Sequence, residues 1–478
     1  MSRRNRLRAA IALSSAALMT ACTSTLPGTP VSVFADPFSV AGMPATDGPT
    51  GLRRSAKPPV REVIGTDGGD TDELGRQAIS DIEEFWQGAY GEAFGGEFRP
   101  VNEVVSWDAN GFDDINFCSG ETFGVVNAGY CHDDQTIGWD RGELLPSLQQ
   151  DYGDMGVTMV LAHEYGHAVQ ETAGLADENT PTLVSEQQAD CLAGSYMRWV
   201  AEGNSSRFSL ATGEGLNSVL AAVIAFRDPL LSENSPELGV DEHGSAFERL
   251  SAFQFGFTDG AVACATIDMR EIGQRRGDLP VLLEANETGE WPVTETSVRA
   301  IVDAMKILFP PADPPRLSFE SGDCPDARPS PPVSYCPATS TISVDLAELE
   351  KMGAPPDLDD PTSMATGDNT AYSVLASRYL QAIQQERGVT LDSAAAALRT
   401  ACLTGVATTK MSKAVTTPDG NTVALTAGDV DEAVSGILVN GLAASDANGE
   451  SVPSGFSRID AFRIGVLGDT ERCFKRFQ

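Results

Sequence analysis

Three residues in the stretch VLAHEYGHAVQ (160–170) have the types and spacing of a zinc site. His163 and His167 stand four residues apart, and Glu164 follows the first histidine directly. On a helix this spacing projects both imidazoles from one face, where two neutral nitrogens can bind one zinc ion. Glu164 would then take a proton from a water molecule at the metal. The chain has only four histidines, so chance explains this pattern poorly.

A catalytic zinc ion needs a third protein ligand and an open position for water. The longer motif with a third histidine is excluded, because Gln170 and Ala173 occupy the positions of its glycine and histidine. Glu186, in TPTLVSEQQADCLAGSY, is the third ligand that we expect. Asp190 would accept the second N–H of a ligand histidine, most directly His163. An ordinary acidic helix face is the alternative for this acidic pair.

Two helices must position these residues. The run 155–173 is apolar, contains no proline and is followed by Gly174, which predicts one helix that ends there. Thr180 as N-cap and Pro181 as first helical residue predict the start of the next helix. The two acidic residues are four apart on it and therefore share a face.

Outside these helices, His243 in DEHGSAFERLSAF is the best candidate for stabilising the negative charge that develops during hydrolysis. Asp241 or Glu242 would orient it, and a structural or surface histidine is the alternative. His132 is expected in a loop without a catalytic role. The strand QTIGWD (135–140) is expected to be the edge strand along which an extended peptide lies.

The N-terminus predicts export and lipid attachment. Residues 1–21 carry arginines, a short apolar run and small residues, as a secretory signal peptide does. LMTA followed by Cys22 resembles a bacterial lipobox, whose acyl chains would anchor the protein on the outer face of the cytoplasmic membrane. Ordinary cleavage with an incidental Cys22 is the alternative. Residues 22–69, rich in Thr, Pro, Gly, Ser and Asp, predict a disordered linker.

The net charge of −35 argues against nucleic acid as a partner, because phosphates require clustered Lys and Arg. The same charge would repel an anionic membrane, so attachment to a membrane should be covalent. A solvated acidic surface explains the charge without any partner.

The cysteines predict four disulfides and an internal repeat. Apart from Cys22 eight remain, an even number in a chain with an export signal. Their intervals are 13, 60 and 73 residues in the first four and 12, 66 and 71 in the last four. This near-identity indicates a tandem duplication. The symmetric pairing is Cys118–Cys131, Cys191–Cys264, Cys324–Cys336 and Cys402–Cys473.

Four blocks of sequence repeat in the same order, among them VLAHEYGHAVQETAG (160–174) and VLASRYLQAIQQERG (374–388). We therefore expect two homologous domains, 70–290 and 291–478. The second domain has no histidine and should therefore fold without metal. We expect it to cover the active-site cleft, to bind substrate or to dock a partner. Simple packing against the first domain is the alternative. The motif residues His163, Glu164 and His167 are replaced by Ser377, Arg378 and Gln381.

The blocks HEYGHAVQ, SEQQADCLAGSY and HGSAFERLSAFQFGFTDG, with YCHDDQTIGWD upstream, together resemble the bacterial putative neutral zinc metallopeptidase family over about residues 75–270. Ala168 and His132 depart from the family pattern, and neither is at a ligand position. The departures therefore concern the substrate pocket and a loop. The resemblance implies a zincin-like fold with zinc ligands His163, His167 and Glu186 and the general base Glu164.

We therefore expect an α+β protein built as a tandem duplication of a zincin-like metallopeptidase domain, with an active first copy and a degenerate second copy. Its expected function is that of a cell-envelope zinc endopeptidase with one Zn²⁺ per chain, acting on proteins or peptides. A non-enzymatic envelope binding or assembly lipoprotein is the rival class. An amidase acting on peptidoglycan stems is a third possibility.

Overall fold

The computed structural model describes residues 36–112, 115–232, 234–235, 242–284, 287–320, 322–355 and 364–478. The expected signal peptide, Cys22 and Asp241 lie outside the described residues. Within these ranges no helix combines the length and apolarity needed to cross a membrane.

Residues 36–69 lie against the folded chain, where the sequence predicted a disordered linker. They contain β1 (Ser39–Val40), β2 (Met43–Pro44) and β3 (Gly51–Leu52), and β3 pairs with residues 208–209. Val40 is fully buried, and the Leu52 N–H donates to Asp154 Oδ2 at 2.9 Å. The linker prediction is wrong here, because a segment rich in turn residues can still bury apolar side chains on a preformed surface.

The first half of the chain, defined as residues 70–290, combines a small sheet with long helices. Its elements are α1 (Asp70–Ala93), β4 (Glu103–Trp107), β5 (Asn116–Phe117), β6 (Gly120–Glu121), β7 (Ala128–Cys131), β8 (Thr136–Asp140), α2 (Leu144–Ala173), α3 (Thr182–Ala201), β9 (Phe208–Ser209), α4 (Glu214–Ala225), α5 (Ala246–Asp259), α6 (Ala261–Cys264) and α7 (Met269–Arg276).

The second half, residues 291–478, also combines one three-stranded sheet with helices. Its elements are α8 (Glu295–Leu308), β10 (Arg316–Ser318), β11 (Val333–Cys336), β12 (Thr341–Val344), α9 (Leu346–Met352), α10 (Asp368–Glu386), α11 (Ala394–Met411), β13 (Val415–Thr416), β14 (Thr422–Val423), α12 (Asp429–Val439), α13 (Gly455–Val466) and α14 (Thr470–Arg476), with 3₁₀ turns at Pro337–Thr339 and Leu442–Ala444. Small sheets beside separate helices make the fold α+β, as expected.

The two three-stranded sheets have the same topology. In the first half the strand order is β4-β8-β7, with β4 parallel and β7 antiparallel to β8. In the second half the order is β10-β12-β11, again with one parallel and one antiparallel pair. QTIGWD forms β8, which is the central strand, so the prediction of an edge strand is wrong. Sequence patterning does not show the parallel pairing with β4, and that pairing leaves β7 as an outer strand.

Close helix crossings also recur in both halves. A Cβ atom on Gly256 of α5 would lie 1.6 Å from the Cys191 carbonyl oxygen of α3. A Cβ atom on Gly465 of α13 would lie 1.8 Å from the Cys402 carbonyl oxygen of α11. Only glycine permits this approach, so each half packs these two helices backbone to backbone.

All four predicted disulfides are present in the structure, with Cα–Cα distances of 5.4–5.6 Å. Two of them hold the last residues of β7 and β11, at Cys131 and Cys336. The other two link α3 to α6 and α11 to α14. The described residues from 36 onward belong to one compact unit. Within it, α4 and α5 pack against α12 and α13 of the second half.

Candidate metal centre

The His-Glu-x-x-His motif lies on helix α2 of the first half. The helix begins at Leu144, earlier than predicted, but Gly153 interrupts it with φ 71° and ψ −177°. The part beyond this kink matches the predicted helix, and it ends at Gly174 in the left-handed conformation (φ 67°). The residues between the kink and the motif are almost all buried, so packing on both sides fixes the helix.

Helix α3 begins at Thr182, slightly later than the predicted start. Pro181 has an extended backbone (φ −55°, ψ 136°) and stands at the N-cap position. Thr180 does not cap the helix, because its hydroxyl forms hydrogen bonds within a turn to Asp177. The shift leaves Glu186 and Asp190 on one buried face of α3, directed at α2.

Glu186 lies between the two motif histidines. Its Oε2 atom is 3.1 Å from His163 Nε2, and its Oε1 atom is 3.4 Å from His167 Nε2. Ligand atoms on a tetrahedral zinc ion, with bonds of about 2.0–2.1 Å, lie about 3.3 Å apart. The three side chains therefore fit zinc in both chemistry and spacing, as the sequence predicted. All their ligand atoms lie within 4.8 Å of one another.

The Nδ1 atoms of both histidines are held by other side chains. His163 Nδ1 is 2.8 Å from Asp190 Oδ1, as predicted, and His167 Nδ1 is 2.9 Å from Gln170 Oε1. The Gln170 amide in turn donates to the Ser185 carbonyl oxygen at 2.6 Å. These contacts favour N–H at Nδ1 and leave both Nε2 lone pairs available for a metal.

Arg249 of α5 holds the Asp190 carboxylate from its other side. Its Nε donates to Asp190 Oδ2 and its Nη2 to Oδ1, both at 2.8 Å. A third guanidinium nitrogen donates to the Phe226 carbonyl oxygen. The sequence shows Arg249 only as a residue that aligns with Arg458 of the second half. Its contact with the site depends on helices that are distant in sequence.

The pKa values of the two histidines diverge in the metal-free chain. Burial lowers the pKa of His163, but the Asp190 and Glu186 carboxylates outweigh it and raise that pKa to about 10. Burial lowers the pKa of His167 to about 4. Burial opposes ionisation of Glu186, yet the histidines hold its pKa below the ordinary value. A positive charge is therefore favoured between His163 and the two carboxylates. When zinc binds, it would displace the proton from His163 Nε2.

Glu164 lies beside the three candidate ligands, and all four side chains line one cleft. Burial raises the pKa of Glu164 to about 7, with Glu186 adding to the increase and His163 opposing it. A carboxylate with a pKa near neutrality can both accept and return a proton. This is the behaviour expected of the predicted general base.

His243 reaches the cleft from the loop before α5. Its Nε2 atom is 3.8 Å from Glu186 Oε2, and its Nδ1 atom is 3.3 Å from Asp228 Oδ1. Asp228 also accepts hydrogen bonds from the backbone N–H groups of His243 and Gly244. Asp228 therefore orients this histidine. The prediction for Glu242 is wrong, since that residue pairs with Arg276 at 3.2 Å.

A cleft of about 1270 Å³ opens in front of these residues. One wall is formed by residues 126–130, which comprise part of the outer strand β7 and the two residues before it. His132 stands at this wall, is exposed, and has its Nδ1 atom 3.2 Å from Glu171 Oε2. It lies in the turn that follows β7, as the sequence predicted.

Comparison with known proteins agrees with this geometry. Residues 31–267 match the family described as "Putative neutral zinc metallopeptidase". Two curated relatives are the uncharacterized protein YpfJ of Escherichia coli strain K12 and YpfJ of Escherichia coli O6:H1. Each is 31% identical over 155 residues, which cover 28% of this chain and 52% of the relative.

The chain thus spans about half the length of these relatives. No solved structure matches it. The matched family segment contains the motif on α2, the acidic pair on α3 and the His243 loop, which are the elements that meet at the cleft. Residues 31–267, which contain all of these elements, are therefore similar to the putative neutral zinc metallopeptidase family.

Proposed function

We propose that the protein is a zinc-dependent endopeptidase of the cell envelope that cleaves proteins or peptides. The observation that carries this proposal is the convergence of His163, His167 and Glu186 beside Glu164 in an open cleft. Three protein ligands leave a position for water, which distinguishes a catalytic from a closed structural zinc site. When bound, zinc would act as a Lewis acid on a scissile carbonyl group and lower the pKa of water.

Three side chains of the protein supply proton transfer and charge stabilisation in this proposal. Glu164 takes a proton from the attacking water and returns it to the leaving amine, which its pKa near 7 permits. His243, whose Nε2 atom lies 3.8 Å from Glu186 Oε2, donates a hydrogen bond to the oxygen on which negative charge develops. Asp228 holds the His243 ring in position through Nδ1.

The outer strand β7 supports an extended polypeptide as the substrate. Its residues line the cleft, and it pairs with β8 on only one side of the three-stranded sheet. An extended chain can add to such an edge through backbone hydrogen bonds, which hold it without regard to its sequence. This would place a peptide bond within the cleft near Glu164. The volume of the cleft, about 1270 Å³, favours cleavage within a chain over removal of single terminal residues.

The second half is a degenerate copy of the first in this proposal. Its support is the shared strand order, the shared glycine contacts between helices and the matching disulfides. In the aligned helix α10, Arg378 replaces the general base. Its guanidinium donates to the Val333 carbonyl oxygen at 2.9 Å and to Ser445 Oγ at 2.9 Å. That position therefore has a packing role.

Attachment to the outer face of the cytoplasmic membrane through Cys22 remains part of the proposal. It rests on the N-terminal sequence alone, because Cys22 lies outside the described residues. Mass spectrometry of the mature N-terminus tests it. A diacylglyceryl group on Cys22 supports the proposal, and an unmodified mature chain that is released from membranes contradicts it.

The central experiment combines metal analysis with cleavage of a peptide library, with and without a zinc chelator. We expect one zinc per chain and cleavage that stops with the chelator and returns with added zinc. Freshly purified protein without metal would favour a non-enzymatic binding or assembly protein. Cleavage that persists in chelator would contradict a zinc peptidase.

A further inference from the structure

A carboxylate from the second half lies at the first turn of α5, the helix that follows His243. Asp431 of α12 accepts hydrogen bonds from the backbone N–H groups of Ala246 and Phe247, both at 3.0 Å. All three residues are buried, with Asp431 only 6% exposed. The first N–H groups of a helix have no partner within the helix, so a buried helix start needs acceptors from elsewhere.

The rest of this helix start is satisfied locally. Ser245 Oγ accepts from the Glu248 N–H, and Glu248 Oε2 accepts from the Ser245 N–H at 3.1 Å, which together form a capping box. This box does not reach Ala246 or Phe247. The two halves of the chain therefore share the capping of α5, and the second half supplies a single buried carboxylate for it.

Helix α5 connects this cap to the cleft in two places. His243 stands just before the helix, and Gly244 joins them in a left-handed conformation (φ +104°) that other residues rarely adopt. Arg249, one turn inside the helix, holds Asp190 and through it the His163 ring. Any displacement of the helix start would thus move both a candidate catalytic group and the support of a zinc ligand.

The same kind of cap occurs in the opposite direction. Asn217 of α4 in the first half accepts a hydrogen bond through Oδ1 from the Gly455 N–H, at 2.7 Å, where α13 begins. Asn217 is also buried, at 9% exposed. Each half therefore caps a helix of the other. No histidine or candidate ligand follows helix α13, and Phe456 beside the capped Gly455 contacts α5 near its far end, at Phe257. Of these two caps, the Asp431 cap is the one that lies next to His243.

We propose that Asp431 is a positioning residue of the first-half active site, and that the second half serves the site by supplying it. The proposal rests on the proposed hydrolytic function. Asp431 touches neither the substrate nor the ligand side chains. It fixes the start of α5 so that His243 and Arg249 keep their distances to Glu186 and Asp190.

The matched pair Asp431→Ala and Asn217→Ala tests this proposal in the full chain. Each removes one buried cap between the halves, and only the first lies on the helix that leads to the cleft. We expect Asp431→Ala to lower kcat by about 10- to 100-fold, because a small displacement of a catalytic group has effects of this size. KM and the zinc content of one ion per chain should stay unchanged. Asn217→Ala should leave kcat unchanged.

A spectroscopic readout separates positioning from loss of stability. The chain has four histidines, so their ring nitrogen signals can be resolved by NMR. Asp431→Ala should shift the His243 signals and leave those of exposed His132, whereas Asn217→Ala should shift neither. Asp431→Asn retains an acceptor oxygen for only one of the two backbone N–H groups, so its loss of kcat should be smaller than that of Asp431→Ala. If the alanine chain does not fold, the asparagine variant should still show a lower kcat than the wild type and shifted His243 signals, and unchanged values of both would overturn the proposal.

Equal loss of kcat in both alanine variants would overturn the proposal, since it would reduce Asp431 to a stabilising residue. Unchanged kcat and His243 signals in Asp431→Ala would overturn it as well. If the wild-type chain cleaves no peptide, the proposed hydrolytic function fails. The His243 signals in the two variants then still decide whether Asp431 positions the loop.

Discussion

Asp190 Oδ1 lies 2.8 Å from His163 Nδ1, and the same oxygen accepts a hydrogen bond from Arg249 Nη2 at 2.8 Å. A buried carboxylate thus receives donors from the ligand histidine and from a fully buried guanidinium. The arrangement fixes the orientation of the imidazole ring and directs its Nε2 atom toward Glu186 and the cleft. The relationship links α2, α3 and α5 at the metal centre.

Asp190→Asn should weaken zinc binding without abolishing it. The amide keeps the volume of the side chain but loses the charge that supports the His163 N–H and pairs with Arg249. Loss of such a partner typically costs 10- to 100-fold in metal affinity. Competition with a chromogenic chelator measures the dissociation constant. An affinity equal to that of the wild type would contradict this role.

His163→Ala and His167→Ala should each reduce bound zinc from one ion per chain to a small fraction. Two ligands in place of three bind zinc too weakly to retain it through purification. Ser377→Ala is the matched control, because Ser377 is buried and aligns with His163 in sequence but lies outside the candidate metal centre. Metal content by mass spectrometry decides the matter, and full zinc occupancy in the histidine variants would rule out this ligand set.

Glu164→Gln should retain zinc and lose hydrolysis. Glutamine has the shape of glutamate but cannot accept a proton from water, and general bases contribute about 10²- to 10⁴-fold to rates. The measurement is kcat on a cleaved peptide together with zinc content. Cleavage at the wild-type rate by the zinc-loaded variant would remove Glu164 from the mechanism.

His243→Ala should lower kcat by about 10²- to 10³-fold, as the loss of a donor to the developing charge does in other hydrolases. Asp228→Asn should have a smaller effect in the same direction, because the ring keeps its place in the chain but loses its fixed orientation. His132→Ala is the control, since that histidine is exposed at the cleft wall. An equal loss in the His132 variant would indicate that the cleft itself is disturbed.

The stability of the second half should fall as pH rises. Burial raises the pKa of Asp368 to about 7 and that of Glu432 to about 10, and nearby carboxylates add to both increases. These values exceed the ordinary 3.8 and 4.5. The folded chain therefore holds more protons than the unfolded chain above about pH 4, and the free energy of unfolding decreases with pH. The slope is about 1.4 kcal/mol per pH unit for each such proton.

The double variant Asp368→Asn/Glu432→Gln tests whether these two groups cause the free energy of unfolding to decrease with pH. Both amides keep an oxygen to accept the backbone hydrogen bonds from Trp291 and Asn369. We expect the variant to exceed the wild type in free energy of unfolding at pH 8 and to lose that advantage at pH 4. Urea denaturation at both pH values measures the difference. A difference that does not change with pH would show that the two carboxyl groups have the same pKa values in the folded and unfolded chains, which would contradict this prediction.

Much of the site follows from local sequence, because its ligands are close together along helices. The spacing of His163 and His167 predicts a shared helix face, and Glu186 and Asp190 repeat that spacing on the next helix. The repeated cysteine intervals predict the disulfide pairing for a related reason, since two similar halves should close in the same way. These expectations needed no knowledge of how distant segments pack.

The remaining features depend on packing between distant segments. Asp228, and not Glu242, orients His243, although the two residues are 15 positions apart in sequence. Arg249 meets Asp190 across 59 residues, and β8 acquires β4 as a parallel neighbour that makes it central. Neither the hydrophobic periodicity nor the composition of the sequence predicts these contacts.

The sequence by itself determined the candidate chemistry of this protein: two histidines and a glutamate that can hold zinc, a carboxylate beside them, and eight cysteines whose intervals predict four disulfides. Only the tertiary structure decided how that chemistry is held. The Arg249 support, the Asp228 partner, the outer strand β7 and the Asp431 cap all join segments far apart in the chain. Ligand spacing is a local property of a helix, whereas these contacts arise from the packing of helices and strands against one another.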